Sequence, residues 1–178
     1  FRKIANELGM ISDSEKPLGY FRHPLAYLVE AADDICYGIV DLEDAHRLHI
    51  LSFNEVKNLL LPLCKDEKLE ERLENHLDDN DAKVGLLRAK AINTLIQECS
   101  RIFYEEQQAI LNGSFNTSLT NALPESYLKP WKVIEQISIE KIYNYQSVIQ
   151  KEVSGYKVMA GLLEELVPAL IHNDTHYH

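Results

Sequence analysis

Asp33, Tyr37 and Asp41 recur at intervals of four residues, and Arg88 falls in the middle of an apolar helical stripe. These are the side chains whose types and spacing could do chemistry. On an α-helix, residues at i, i+4 and i+8 rise along one face in steps of about 6 Å. Unpaired carboxylates at that spacing are mildly unfavourable, and a metal ion or a cationic partner removes the penalty. The same spacing also fits a solvated acidic stripe on an ordinary bundle helix. A guanidinium centred on apolar surface is costly unless an anion meets it. That anion could be a ligand or a carboxylate of the chain, or the arginine stem could lie on the core while its head reaches water.

Two helices must position these groups. The first runs from His23 to Ala45, with Pro24 suited to the first helical position, where a missing N–H costs nothing. Leu25, Leu28, Val29, Ala32, Ile35, Cys36, Ile39, Val40 and Leu42 cover roughly half its circumference at about 100° per residue, and Ala31, Gly38 and Ala45 form a small-residue strip beside them. The remaining arc holds Glu30, Asp33, Asp34, Tyr37, Asp41 and Asp44 and no Lys or Arg, the pattern of a buried helix presenting carboxylates and a phenol to a cavity. The second runs from Ala82 to Leu111, with Asp78–Asp81 as turn and N-cap and Asn112-Gly113 as its stop. Its apolar face is Val84, Ala91, Ile92, Leu95, Ile96, Cys99, Ile102 and Phe103; Lys83, Lys90, Asn93, Gln97 and Arg101 lie opposite.

The other elements are also helices. FRKIANELGM gives one or two turns ended near Gly9, and SDSEKPLGY is loop. Ser52 and Glu55 make a capping box that opens a helix to about Leu61, where Pro62 ends or kinks it. DEKLEERLENHL is a charged, solvated helix of about three turns. Residues 112–126 are loop, and PESYLKPW is extended or irregular with Trp131 packed beneath it. Ser138 caps a short helix, SIEKIYNY. A last helix, about Ser147 to Ile171, has a broad apolar face including Val148, Met159, Leu162, Leu163, Leu166 and Leu170, with Gly155 and Gly161 permitting close packing. No segment alternates as a strand, so the fold class is all-α, a bundle of roughly seven helices.

The 178 residues suffice for one domain with a real core, and 46% apolar and 26% charged residues are ordinary for a globular chain. A net charge of -10 argues against a general nucleic-acid surface. Cys36, Cys64 and Cys99 are an odd count among apolar neighbours and read as small buried hydrophobes in a reducing, cytoplasmic setting. No apolar run is long enough for a membrane span, and no signal peptide is evident. The chain opens on Phe1 and reads as though it starts within a domain of a longer protein. His172 and His176, at i and i+4, could suit a metal or be a chain end. His23, His46, His49 and His76 share no ligand spacing.

RHPLAYL followed by EAADDICYGIVDLEDA resembles the signature of bacterial deoxyguanosine triphosphate triphosphohydrolases, a branch of the HD-domain phosphohydrolases. LRAKAIN, AILNGSFNTSL and IYNYQSVIQKEVSGYKVMAGLLEEL resemble further stretches of the family, so the likeness covers most of residues 20–172. The resemblance implies the C-terminal part of an HD-type domain, residues 1–111, carrying the last metal ligand, and a helical extension, residues 112–178, packed on it as one unit. It implies Asp33 as a ligand to a divalent metal, Mg2+ or Mn2+, with Asp34 the competitor. It implies Tyr37 and Asp41 facing the nucleotide and Arg88 holding its phosphates. The reaction implied is attack at the α-phosphorus of dGTP, giving deoxynucleoside and inorganic triphosphate. The family's His-Asp pair is absent from this sequence, so no catalytic acid or base is expected within it and the chain alone should be inactive. The implied partners are the N-terminal HD-containing part of the same protein, further copies in a homo-oligomer, and single-stranded DNA in some members, which the acidic balance does not encourage. A broad-specificity dNTP hydrolase regulated by nucleotide and a non-catalytic helical module that binds nucleotide or a partner are the alternatives.

Overall fold

The computed structural model describes residues 2–12, 19–66, 68–75 and 79–172. Among them are eight α-helices: α1 (Arg2–Glu7), α2 (Pro24–Arg47), α3 (Phe53–Leu60), α4 (Leu69–Asn75), α5 (Asn80–Glu105), α6 (Gln107–Leu111), α7 (Glu125–Ile137) and α8 (Gln146–His172). No strand occurs among the described residues beyond one isolated bridge between Ser12 and Tyr20, so the architecture is all-α. No helix among them is long and apolar enough to cross a membrane.

The chain divides into two units, residues 1–138 and residues 139–178. The first unit is built on α2 lying against α5, with α3, the 3-10 turn Leu61–Leu63 and α7 completing the core. Ile39 and Leu42 of α2, Val56 and Leu60 of α3, Leu63, and Leu87 and Leu95 of α5 are fully buried.

Local chemistry sets the helix ends. His23 Nδ1 accepts the Leu25 N–H at 3.2 Å, and Pro24 takes the first position of α2. Ser52 and Glu55 form the expected reciprocal box: the Glu55 N–H donates to Ser52 Oγ at 3.3 Å and the Ser52 N–H to Glu55 Oε2 at 2.9 Å. Asp79 accepts from the Asp81 and Ala82 N–H groups at the start of α5. The long second helix is in fact α5 and α6, which meet at Glu106.

Three local expectations are corrected. The segment PESYLKPW is the start of α7, not extended chain. Pro124 caps it, and Pro130 frees only the carbonyl four residues earlier, on Ser126, which is exposed and can be met by water. Ser138 does not cap a following helix. Its hydroxyl is buried without a hydrogen-bond partner at the end of α7, where a π-helical stretch, Ser138–Tyr143, begins. The charged helix α4 is two turns long among the described residues, and it is not solvated all round, since Leu69 and Leu73 are buried. Among the described residues nothing lies within 4 Å of where a Cβ on Gly155 or Gly161 would stand, so the close packing expected there is not seen among them.

In the second unit, α8 keeps Tyr156 80%, Leu163 55% and Leu170 80% exposed, and it continues through Pro168. His176 and residues 173–178 lie outside the described residues, as do His76 and most of the SDSEKPLGY loop.

An ion cluster on a buried carboxylate ties α5 to the segment after α3. Glu98, 7% exposed, accepts from Lys65 and from Arg101, the latter at 3.0 and 3.1 Å. The Lys65 ammonium, and then Arg101, hold this carboxyl below the usual glutamate range. Folding therefore favours its ionised form. The stabilisation is complete above the unfolded value of about 4.3 and is lost as pH falls through the lower folded value. Glu98→Gln is expected to lower the denaturation midpoint at pH 7, and the gap from the wild type should close in titrations run towards pH 3. A gap that widens in acid would contradict the assignment.

Candidate active site on α2

The inner side of α2 is fixed by close packing and by one loop. The buried residues are Tyr27, Ala31, Ile35, Ile39, Leu42, Glu43 and Ala45. The small-residue strip therefore faces inward. A Cβ on Gly38 would stand 2.5 Å from Cη2 of Trp131, so α7 approaches α2 there because no side chain intervenes. The loop after α6 is stitched to the same helix. The Tyr27 hydroxyl donates to the Phe115 carbonyl at 2.6 Å, and Thr120 Oγ1 donates to Asp34 Oδ2 at 2.9 Å. At the loop's start Gly113 has φ +79°, and any Cβ there would meet the Phe21 ring at 2.8 Å.

The outer side of α2 is open. Leu25 is 59% and Val29 69% exposed, and Ala32 and Cys36 are exposed too, although the sequence pattern grouped all four with the apolar half. Cys36 is thus not the buried hydrophobe expected. Cys64 is half-buried and Cys99 buried, and burial pushes both thiols up to about 11, which keeps them protonated and inert. The outward apolar residues explain why half of this helix reads as apolar without being core.

On this outer side Asp33, Cys36, Tyr37, Val40, Asp41 and Asp44 line an open hollow of ≈ 430 Å³. Asp33 and Tyr37 are exposed and Asp41 half-buried. Among the described residues Asp33 has neither an ion pair nor a hydrogen bond from another side chain. Its neighbour Asp34, about 100° round the helix, points to Thr120. The two adjacent aspartates therefore differ in what they are available for.

Arg88 is not among the residues lining that hollow. Its Nη1 donates to Glu43 Oε2, and its side chain is 39% exposed. Glu43 lies ten residues beyond Asp33, about 15 Å along α2. Its other oxygen, Oε1, accepts from Arg47 Nη2 at 2.8 Å. The anionic partner that Arg88 requires is thus a carboxylate of the chain. Glu43 and Arg47 carry a signal in the sequence, an acid four residues before a base, but Glu43 had no place in the polar arc.

Among the described residues no three His, Cys, Asp or Glu side chains converge to hold a metal ion. Asp33 offers a hard carboxylate donor of the right kind for Mg2+ or Mn2+, but these residues do not by themselves make a complete site.

The sequence matches no family model. It is 31% identical over 172 residues to a deoxyguanosinetriphosphate triphosphohydrolase-like protein of Synechocystis, an alignment covering 96% of the chain. It is 37% identical over 175 residues, 95% of the chain, to a protein of the same description from Pseudomonas aeruginosa. Over nearly all of its length the chain is similar to proteins of the deoxyguanosinetriphosphate triphosphohydrolase-like family. A family member from Yersinia enterocolitica, described as a deoxyguanosinetriphosphate triphosphohydrolase, is 30% identical over 176 residues. The chain spans little more than a third of the length of these relatives: 37%, 38% and 35%. The family alignments run across both α2 and α5, so the hollow and the Glu43 cluster both lie in the shared part.

Proposed function

We propose that this chain is part of a dGTP triphosphohydrolase, in which water and dGTP give deoxyguanosine and inorganic triphosphate. The observation that carries the reading is the state of Asp33: exposed, without an ion-pair partner among the described residues, and beside Tyr37 in a hollow on the open side of α2. The descriptions of the family's other members support the same chemistry. In this reading Asp33 is one ligand to a divalent cation, Mg2+ or Mn2+, whose other ligands come from an N-terminal HD-containing part of the protein seated on the outer side of α2. The exposed Leu25 and Val29 would be covered by that part. A bound cation would supply charge neutralisation for the triphosphate. Tyr37 and Asp41 flank the nucleotide, and Arg88 binds its phosphates. A homo-oligomeric assembly is part of the proposal, supported by the uncovered apolar side chains of α8. Single-stranded DNA is disfavoured as a partner by the net charge of -10.

The second reading is a non-catalytic helical module, favoured by the lack of any three converging metal ligands among the described residues. The test is product release from each of the four dNTPs by the full-length protein. Inorganic triphosphate formed from dGTP alone, without activator, is the expected result. Equal turnover of all four would replace it with a broad-specificity, nucleotide-regulated hydrolase, and no triphosphate from any would leave the module.

A further inference from the structure

We propose that a cavity between the end of α1, the start of α2 and the end of α6 binds a small monocarboxylate with an apolar body. The cavity has a volume of ≈ 260 Å³, and Leu8, Met10, Phe21, Pro24, Ile110 and Leu111 form its apolar walls. Backbone chemistry holds these walls in place. Gly9 turns the chain out of α1 with φ +66°, and the Met10 N–H then donates to the Ala5 carbonyl at 2.9 Å. The Phe21 N–H donates to the Ile11 carbonyl at 2.9 Å, which joins the segment after α1 to the one before α2. The Phe21 ring occupies the space that a side chain on Gly113 would need, so it rests on bare backbone.

Arg22 and His23 also line the cavity, and among its described lining residues none is acidic. Both polar groups donate. His23 Nδ1 accepts the Leu25 N–H, so the neutral ring carries its proton on Nε2 and can offer a ligand only that N–H. Arg22 pairs through Nε with Glu30 Oε1 at 3.1 Å, and its Cζ lies 5.5 Å from the centroid of the Tyr27 ring. Those contacts leave Nη1 and Nη2, a fork that matches the two oxygens of a carboxylate. The guanidinium is already aimed, so ordering it on binding costs little. Donors without an acidic neighbour call for an acceptor on the ligand. The apolar walls exclude a polyanion, because its further charges would be buried without partners. At roughly 30 Å³ per non-hydrogen atom the cavity holds about nine such atoms, the size of benzoate or heptanoate. It shares no lining residue with the hollow on the outer side of α2, so the inference stands apart from nucleotide and metal binding there.

The experiment titrates the full-length protein, labelled with 13C-methyl methionine, with benzoate, heptanoate and their amides. Met10 lines the cavity and Met159 stands exposed on α8, so one methyl reports the site and the other reports non-specific association. Met10→Leu and Met159→Leu assign the two signals. The expected result is a saturable shift of the Met10 signal at low millimolar concentration of at least one acid, with Met159 unmoved. Binding of benzoate alone would identify an aromatic acid, and of heptanoate alone an aliphatic one. Each amide keeps the apolar body and loses the charge, and should bind at least fivefold more weakly than its acid. Arg22→Lys keeps the charge without the fork and should weaken binding at least threefold. His23→Asn keeps an acceptor to cap α2 and gives up the Nε2–H, and should weaken it similarly. A Met10 signal that moves with neither acid overturns the proposal. So do a Met159 signal that moves in step with Met10, amides that bind as well as the acids, and unchanged binding in Arg22→Lys.

Discussion

Trp131→Ala is expected to destabilise the first unit by about 3–5 kcal/mol, the range for emptying a buried tryptophan site. Trp131 is 2% exposed, and its ring rests on the bare backbone of Gly38, so it is the point at which α7 locks to α2. Few residues could move in to fill the space, because the opposite wall is helix backbone. Gly38→Ala attacks the same contact from the other side. With only 2.5 Å available to the new methyl, the ring or α7 must shift, at a cost of about 1–3 kcal/mol. The two changes should not add. Once the ring is gone the methyl has room, so Gly38→Ala in the Trp131→Ala background should be nearly neutral or slightly stabilising. Trp131→Phe is expected to cost less than Trp131→Ala because a ring still covers Gly38; both changes remove an indole N–H that is buried without a partner. Urea denaturation of the wild type and the three variants of the cycle checks this, and strict additivity would show that the close approach is not what holds α7.

The small-residue strip shows how far the sequence could be read. Ala31, Gly38 and Ala45 are visible as a strip at helical spacing, and the structure places Ala31 and Ala45 in the core at 4% and 1% exposure. What packs there could not be read, because a gap on one helix does not name the side chain that fills it. The prolines of PESYLKPW pointed away from a helix; tertiary burial of Trp131 and Ile134 outweighs the one lost hydrogen bond. Helix caps were legible where they are local, as at Ser52 and Asp79, and misread at Ser138, where a hydroxyl capable of capping lies buried in the turn that follows α7. On α2 the apolar count was right and its meaning was not. Leu25, Val29 and Cys36 are apolar but outward, and periodicity cannot separate a core face from a face reserved for another surface. The grouping of Asp33, Tyr37 and Asp41 needed only helical geometry. The partner of Arg88 needed the packing of α2 on α5, a long-range fact.

Asp33→Ala in the full-length protein is expected to cost more than about 100-fold in turnover, since even groups that merely support a metal ligand cost 10–100-fold when removed. Asp34→Ala should cost much less. Its carboxylate accepts from Thr120, which is itself 2% exposed and linked to Ser118 Oγ at 3.0 Å, so its loss loosens the loop after α6 and lowers stability more than activity. Thr120→Val removes the same hydrogen bond without touching either carboxylate, and it should reproduce the modest effect of Asp34→Ala. If instead Asp34→Ala were the more damaging and Thr120→Val harmless, the aspartate that serves the ligand would be the one assigned to the loop.

The most direct measurement is Mn2+ binding to the full-length protein by electron paramagnetic resonance, in the wild type, Asp33→Asn and Asp34→Asn. A tight stoichiometric site in the wild type and in Asp34→Asn, and its loss in Asp33→Asn with the fold intact by circular dichroism, is the predicted result. An undiminished Mn2+ site in Asp33→Asn would contradict the role given to the open face of α2.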